Sequence, residues 1–138
     1  MPAESPYIAW IGGAPSESAM ESNLAALTDY FDLNYKSWLP GNRGAAIMDY
    51  GCGGGVLLTY LERLGYARLT GFDVDSRNRD FCKSHTKASI EYDSDGLRFL
   101  NSHPASYDLV ISRHVAYYFP RLQIQDWFNA LARSLKTD

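Results

Sequence analysis

The run Asp49-Tyr50-Gly51-Cys52-Gly53-Gly54-Gly55 constrains the fold more than any other part of this chain. A short apolar segment, Gly44 to Tyr50 (GAAIMDY), leads into it and reads as a buried strand. After it, Leu57, Leu58, Leu61 and Leu64 recur at helical spacing, and Gly65 is a good C-terminal stop. A strand, a glycine turn and a helix in that order form the opening unit of a parallel α/β sheet. Glycines let the backbone turn sharply and let a ligand approach the main chain closely. The helix behind adds free N–H groups and a partial positive end.

The rest of the chain repeats the alternation. Ser18 and Glu21 fit a capping box, which predicts a helix start there. Leu24, Leu27, Phe31, Tyr35 and Trp38 then fall on one helical face, and Pro40-Gly41 ends it. Leu69 to Phe72 reads as a second strand, with Ser76 or Asp75 as the cap of a third helix running to about His85. Ser89 to Tyr92 is a third strand, Asp95 to Asn101 a short helix, and Tyr107 to Ser112 a fourth strand. Ile124, Trp127, Phe128, Leu131 and Leu135 mark one face of a final helix. This order predicts a doubly wound, mostly parallel sheet with right-handed crossovers, spanning 17–138 after an N-terminal arm, 1–16. In such sheets ligands sit at the carboxyl ends of the strands, where the strand order reverses.

Composition sets the outer bounds. With 138 residues, 46% of them hydrophobic and 21% charged, one domain with one core is expected. A net charge of −3 offers no basic footprint, so no nucleic-acid partner is expected. No apolar run approaches the about 18 residues of a membrane span. Cys52 and Cys82 are far apart and form no C-x-x-C, so neither a disulfide scaffold nor a metal site is expected. A reducing, cytoplasmic setting follows from that cysteine usage.

The glycine turn does not fit a dinucleotide fingerprint. Gly51-x-Gly53 is followed by Val56 and Gly53-x-Gly55 by Leu58 where G-x-G-x-x-G needs glycine. The spacing is acid-x-Gly-x-Gly-x-Gly instead. An acid ahead of the glycines repels a pyrophosphate but can pair with a cationic amino group. At the end of the second strand, the carboxylate in Gly71-Phe72-Asp73-Val74-Asp75 is placed to accept ribose hydroxyls. Its bland alternative is a turn residue.

IMDYGCGGG and GFDVD resemble the first two motifs of the class I (Rossmann-like) S-adenosylmethionine-dependent methyltransferases, and the resemblance covers roughly residues 17 to 136. It implies S-adenosylmethionine as cofactor. Gly51, Gly53 and Gly55, with Cys52 inside the loop, would lie beside its methionine part, and Asp49 would place its ammonium. Asp73 would hold the ribose and Val74 would pack on adenine. Asp95-Gly96 would meet the adenine amino group, with Asp93 as competitor and helix capping as the alternative for either. Tyr107-Asp108-Leu109-Val110-Ile111-Ser112 is similar to the fourth motif, so the backbone at Ser112 and Arg113 should face the sulfonium. His114, with Tyr117 and Tyr118, is a candidate for the acceptor pocket and for general base, against a packed or solvated histidine. Tyr30 or Tyr35 is a candidate ligand contact.

The family sheet normally has seven strands and four are legible here, so the chain is expected to be C-terminally truncated. The fourth strand is then an exposed edge, a site for a homodimer. Three functions stay open. The first is methyl transfer to a small molecule, lipid or glycan; the second is a non-catalytic cofactor-binding module; the third is an NAD-type oxidoreductase.

Overall fold

The computed structural model describes residues 17–137. The expected arm, 1–16, lies outside them. The elements in order are α1 (Glu17–Asn34), a 3-10 turn (Lys36–Trp38), β1 (Ala46–Tyr50), α2 (Val56–Arg63), β2 (Arg68–Asp73), α3 (Ser76–His85), β3 (Ser89–Tyr92), α4 (Gly96–Asn101), β4 (Leu109–Ser112), a second 3-10 turn (Ala116–Tyr118) and α5 (Ile124–Ser134).

The four strands pair in the order β3-β2-β1-β4, and every pair is parallel. β1 is central and all five of its residues are buried. Period-2 alternation sends its side chains to two different cores. Ile47 packs with Phe31, Leu57, Leu58 and Leu61 on the face covered by α1, α2 and α3. Met48 and Tyr50 pack with Phe72, Phe99, Leu100 and Trp127 on the face covered by α4 and α5. The sheet is therefore doubly wound, with the Rossmann-like topology expected. The chain leaves β1 toward β2 on one side and returns to β4 on the other, so the switch point lies between β1 and β4.

Several local expectations shift. Ser18 already lies within α1 and cannot be its N-cap, because a cap residue must be non-helical. Trp38 does not extend the buried face; α1 ends at Asn34, and the following 3-10 turn leaves Trp38 79% exposed. Gly44 sits in a turn, its N–H donating to Asn42 Oδ1 at 2.8 Å, so β1 begins two residues later. α3 is capped by Asp75, whose Oδ1 accepts from Arg77 N–H at 2.9 Å, and Ser76 is its first residue. Tyr107 precedes β4 and bridges instead to Leu135, which lies beyond α5 rather than on its face. Asp108 ties the start of β4 to the start of β1. Its Oδ2 accepts from Ala46 N–H at 2.7 Å and pairs with Lys136 Nζ at 3.0 Å, which holds this carboxyl below the usual range.

Candidate functional site

A cavity of about 760 Å³ opens at the carboxyl ends of β1, β2 and β4. Ligand pockets commonly have this size. Its walls include Gly51, Asp73, Val74, Asp95, Gly96, Arg113 and His114, seven of the residues singled out from the sequence. Asp49, Cys52, Gly53, Gly55 and Ser112 are not on the wall. Asn78, Ser94, Leu97, Val115, Phe119, Pro120, Gln123 and Asp126 line it without having been singled out. They come from α3, the turn before α4, α4 itself, the segment after β4 and the first turn of α5, and only the folded chain brings them to one place.

The glycine loop is held from behind. Gly51 and Cys52 both donate backbone N–H groups to the Phe72 carbonyl, at 2.7 and 2.9 Å. Gly51, Gly53 and Gly55 all have positive φ, at 83°, 52° and 87°. At Gly51 space is as limiting as φ, since a Cβ there would collide with Val115 Cγ2. Val115 reaches that point because His114 has a left-handed backbone, φ 56°, which folds the chain back onto the loop after β4.

Asp73 sits at the end of β2, only 8% exposed. Its Oδ2 accepts from Gly53 N–H at 2.9 Å and its Oδ1 from Asp75 N–H at 2.9 Å. Burial raises its carboxyl above the ordinary range, and these N–H groups and the Asn78 amide partly offset that rise. The side chain is thus clamped in one orientation on the cavity wall, with lone pairs left for further donors.

Asp95 and Asp93 take different positions. Asp95 lines the cavity and caps α4, accepting from Arg98 N–H at 3.1 Å. Asp93 is off the wall, paired with the Arg98 guanidinium, which holds its carboxyl below the usual range. Gly96 lies against the Tyr50 hydroxyl, where a Cβ would collide. That contact alone demands glycine. Tyr50 also lines the cavity, and its buried hydroxyl has no geometrically sound hydrogen bond.

Asp49 is 3% exposed, and burial pushes its carboxyl up to about 7, with the Arg113 cation opposing and the Asp73 charge assisting the rise. Cys52 is buried beside Cys82, whose Sγ contacts the Gly53 carbonyl at 3.0 Å. The hydrogen bond between the two thiols and their burial raise the Cys52 pKa, which argues against a reactive thiolate. Tyr118 lines the cavity, whereas Tyr117 is 65% exposed and off the wall. Tyr30 and Tyr35 are also off the wall. Tyr35 instead packs beside Phe31 and lies near the Arg113 cation.

A cofactor with a cationic amino acid at one end and a nucleoside at the other fits this donor set. Open backbone stands at Gly51 and a clamped carboxylate at Asp73. A second carboxylate beside a small residue stands at Asp95-Gly96, and the half-buried Arg113 cation is on the same wall, while Asp49 is buried off it. Comparison with known proteins points the same way. A family profile described as "Methyltransferase domain" matches residues 47–138. A ubiquinone biosynthesis O-methyltransferase of Methylocella silvestris is 36% identical over 120 residues, covering 77% of this chain and 46% of that protein. A second, from Bartonella tribocorum, is 31% identical over 93 residues, covering 65% of this chain and 36% of that protein. The chain thus spans less than half the length of these curated relatives. A SAM-dependent methyltransferase from Archaeoglobus fulgidus shares the fold at a TM-score of 0.67 and 17% identity, over 95% of this chain and 52% of that one. The magnesium protoporphyrin IX methyltransferase of Synechocystis PCC 6803, solved with bound SAH, does so at 0.59 and 18%, over 83% and 51%. A nicotinamide oxidoreductase is thereby set aside, and the chain belongs to the class I S-adenosylmethionine-dependent methyltransferase family.

Proposed function

We propose that the chain binds S-adenosylmethionine in the 760 Å³ cavity and directs its methyl group to a hydroxyl of a small-molecule acceptor. The observation that carries this reading is the convergence of Gly51, Asp73, Asp95 and Gly96 on one cavity wall at the switch point of the sheet. The curated relatives support oxygen as the acceptor atom by their names, and Tyr118, Phe119 and Pro120 offer an apolar wall to an organic acceptor. Lipid and glycan acceptors fall to the same assay. A cytoplasmic setting belongs to the proposal and rests on two free, buried cysteines. No helix among the described residues is long and apolar enough to cross a membrane. A homodimer through the outer edge of β4 is part of the same reading.

When bound, the cofactor supplies a methyl group on a good leaving group. The protein's task is then alignment, exclusion of water and management of charge. Asp73 orients the ribose through hydroxyl donors, Asp95 and Gly96 receive the adenine edge, and Val74 covers its face. His114, on the cavity wall just past β4, takes the proton from the acceptor hydroxyl.

Calorimetric titration with S-adenosylhomocysteine tests the binding claim. One-site binding by the wild type, weakened at least about tenfold in Asp73→Ala, is expected, since charge-assisted hydrogen bonds are lost. No binding by folded wild type rejects it. In methyl-transfer assays against hydroxylated acceptors, His114→Asn should lower turnover by about 100-fold or more with the cofactor Kd unchanged. Asn tolerates the left-handed backbone at this position, so the loss reports on the base. Binding without transfer to any acceptor selects the non-catalytic module instead.

A further inference from the structure

Two thiols meet behind the glycine loop. Cys52 lies within the loop and Cys82 in the last turn of α3, and both are buried and free. Neither lines the cavity. Both belong to the core on the α1, α2 and α3 face of the sheet. Their S–H groups share one acceptor: Cys82 Sγ lies 3.0 Å and Cys52 Sγ 3.9 Å from the Gly53 carbonyl oxygen. Gly53 in turn donates its N–H to Asp73 Oδ2 at 2.9 Å. One loop residue thus links the two thiols to the carboxylate on the cavity wall. Methyl transfer uses neither thiol.

In a reducing setting, a disulfide between two such thiols is transient and redox-sensing rather than structural. A disulfide brings its sulfurs to about 2.0 Å. α3 holds Cys82 in place: Thr86 N–H donates to the Cys82 carbonyl at 2.9 Å, and Asp75 caps the helix. The loop is therefore the side that moves. Bond formation also takes both S–H donors away from the buried Gly53 carbonyl. Each change displaces Gly53, and with it the N–H that clamps Asp73.

We propose that Cys52 and Cys82 form a redox modification site that switches the glycine loop between a cofactor-binding and a non-binding state. This rests on the binding reading above and adds its regulation. The oxidant is a peroxide. The Cys52 sulfur attacks the O–O bond and becomes a sulfenic acid, and one water leaves. Cys82 Sγ then attacks the Cys52 sulfur, the S–S bond forms and a second water leaves. Two thiols and one hydrogen peroxide become one disulfide and two waters. A small thiol reverses the reaction by exchange. The neighbouring Cys82 and burial keep Cys52 in the unreactive thiol form while the loop is closed. Oxidation therefore needs the loop to open, and a cofactor that holds the loop slows it.

The test exposes the protein to hydrogen peroxide, with and without S-adenosylhomocysteine, and then to dithiothreitol. Peptide mapping without reduction should show Cys52 joined to Cys82 within one chain. Saturating S-adenosylhomocysteine should slow the joining at least about fivefold, because it stabilises the closed loop. Oxidation should weaken S-adenosylhomocysteine binding at least about tenfold in calorimetry and speed amide exchange at Gly53 by a similar factor. Dithiothreitol should restore both. Cys82→Ala should form no such disulfide and keep its affinity through the peroxide treatment.

Folded, peroxide-treated wild type without the disulfide overturns the site. A disulfide that leaves Gly53 exchange unchanged overturns the switch. These two readouts need neither a variant nor a bound ligand. Loss of affinity in peroxide-treated Cys82→Ala also overturns it, since Cys52 oxidation alone then suffices. Reduced, folded wild type that binds no S-adenosylhomocysteine overturns the cofactor reading and the switch together, and the mapped disulfide then stands or falls by itself.

Discussion

Asp49 shows how one buried residue can make stability depend on pH. Its neighbours on the sheet are Gly71 and Ile111, which offer no donor beyond the strand ladder. The folded state therefore favours the protonated carboxyl, and the group titrates near 7 rather than near its ordinary 3.8. The sign follows from linkage. A carboxyl whose folded pKa is raised contributes stability that is full below the unfolded pKa and lost as pH rises through the folded one. The free protein should lose stability between pH 4 and pH 8, by something on the order of 3–4 kcal/mol from this residue. Asp49→Asn should flatten that fall and raise Tm at pH 8, measured by calorimetric melting. On the proposed reading, in which Asp49 places the cofactor ammonium as the family resemblance implies, binding should run the other way, since the ammonium needs the charged form. Cofactor affinity of the wild type should rise through pH 7, and that of Asp49→Asn should not. Unchanged pH profiles in the variant would remove Asp49 from both roles.

At the scale of elements, α4 is seated by a contact that its own sequence does not announce. Gly96 opens the helix directly over the Tyr50 hydroxyl, with Phe72 also in reach. The rings of Tyr50, Phe72 and Phe99 continue the stack, with centroids 4.9 and 4.0 Å apart. Overpacking such a junction costs about 1–3 kcal/mol. Gly96→Ala should therefore lower stability by that amount in urea melts. Tyr50→Phe, which removes the hydroxyl that the new methyl meets, should recover most of the loss in the double variant. Additive effects would mean that the helix adapts and that Gly96 is there for a ligand alone. From the sequence, Gly96 was legible only as the small residue a cofactor requires. The steric reason became visible once Tyr50 was seen to point to the α4 face, because that direction depends on the register of β1.

Across the whole molecule, protection should follow the sheet order. β1 is paired on both sides, β2 lies between β1 and β3, and β3 and β4 each have one free edge in the four-stranded sheet. Amide hydrogen exchange should be slowest in Ile47 to Asp49 and faster in β3 and β4. Just ahead of β4, the same outer side of the chain is already paired at Tyr107. Lys136 N–H donates to the Tyr107 carbonyl at 2.8 Å, and Tyr107 N–H to the Ser134 carbonyl at 3.1 Å, starting a parallel neighbour. Exchange in β4 that slows as protein concentration rises supports a dimer through this edge. Exchange independent of concentration rejects it.

The local order of the chain decided most of the architecture. The alternation of apolar runs, the glycine turn and the capping acids depend on neighbours within a few residues, so the strand–helix sequence, the parallel sheet and the acid-x-Gly-x-Gly-x-Gly loop were legible directly. Asp73 was singled out by its place at a strand end and Asp95-Gly96 through the family resemblance, and all three stand on the cavity wall. Tertiary structure decided what those residues face. Asp93 competed with Asp95 in sequence, and in the folded chain Asp93 pairs with Arg98 off the cavity wall while Asp95 stands on it. Tyr117 and Tyr118 are adjacent, and only the second turns inward. Arg113 meets Phe31 across 82 positions of chain. No local pattern encodes such a meeting, because it exists only after α1 and β4 have closed over the same end of the sheet.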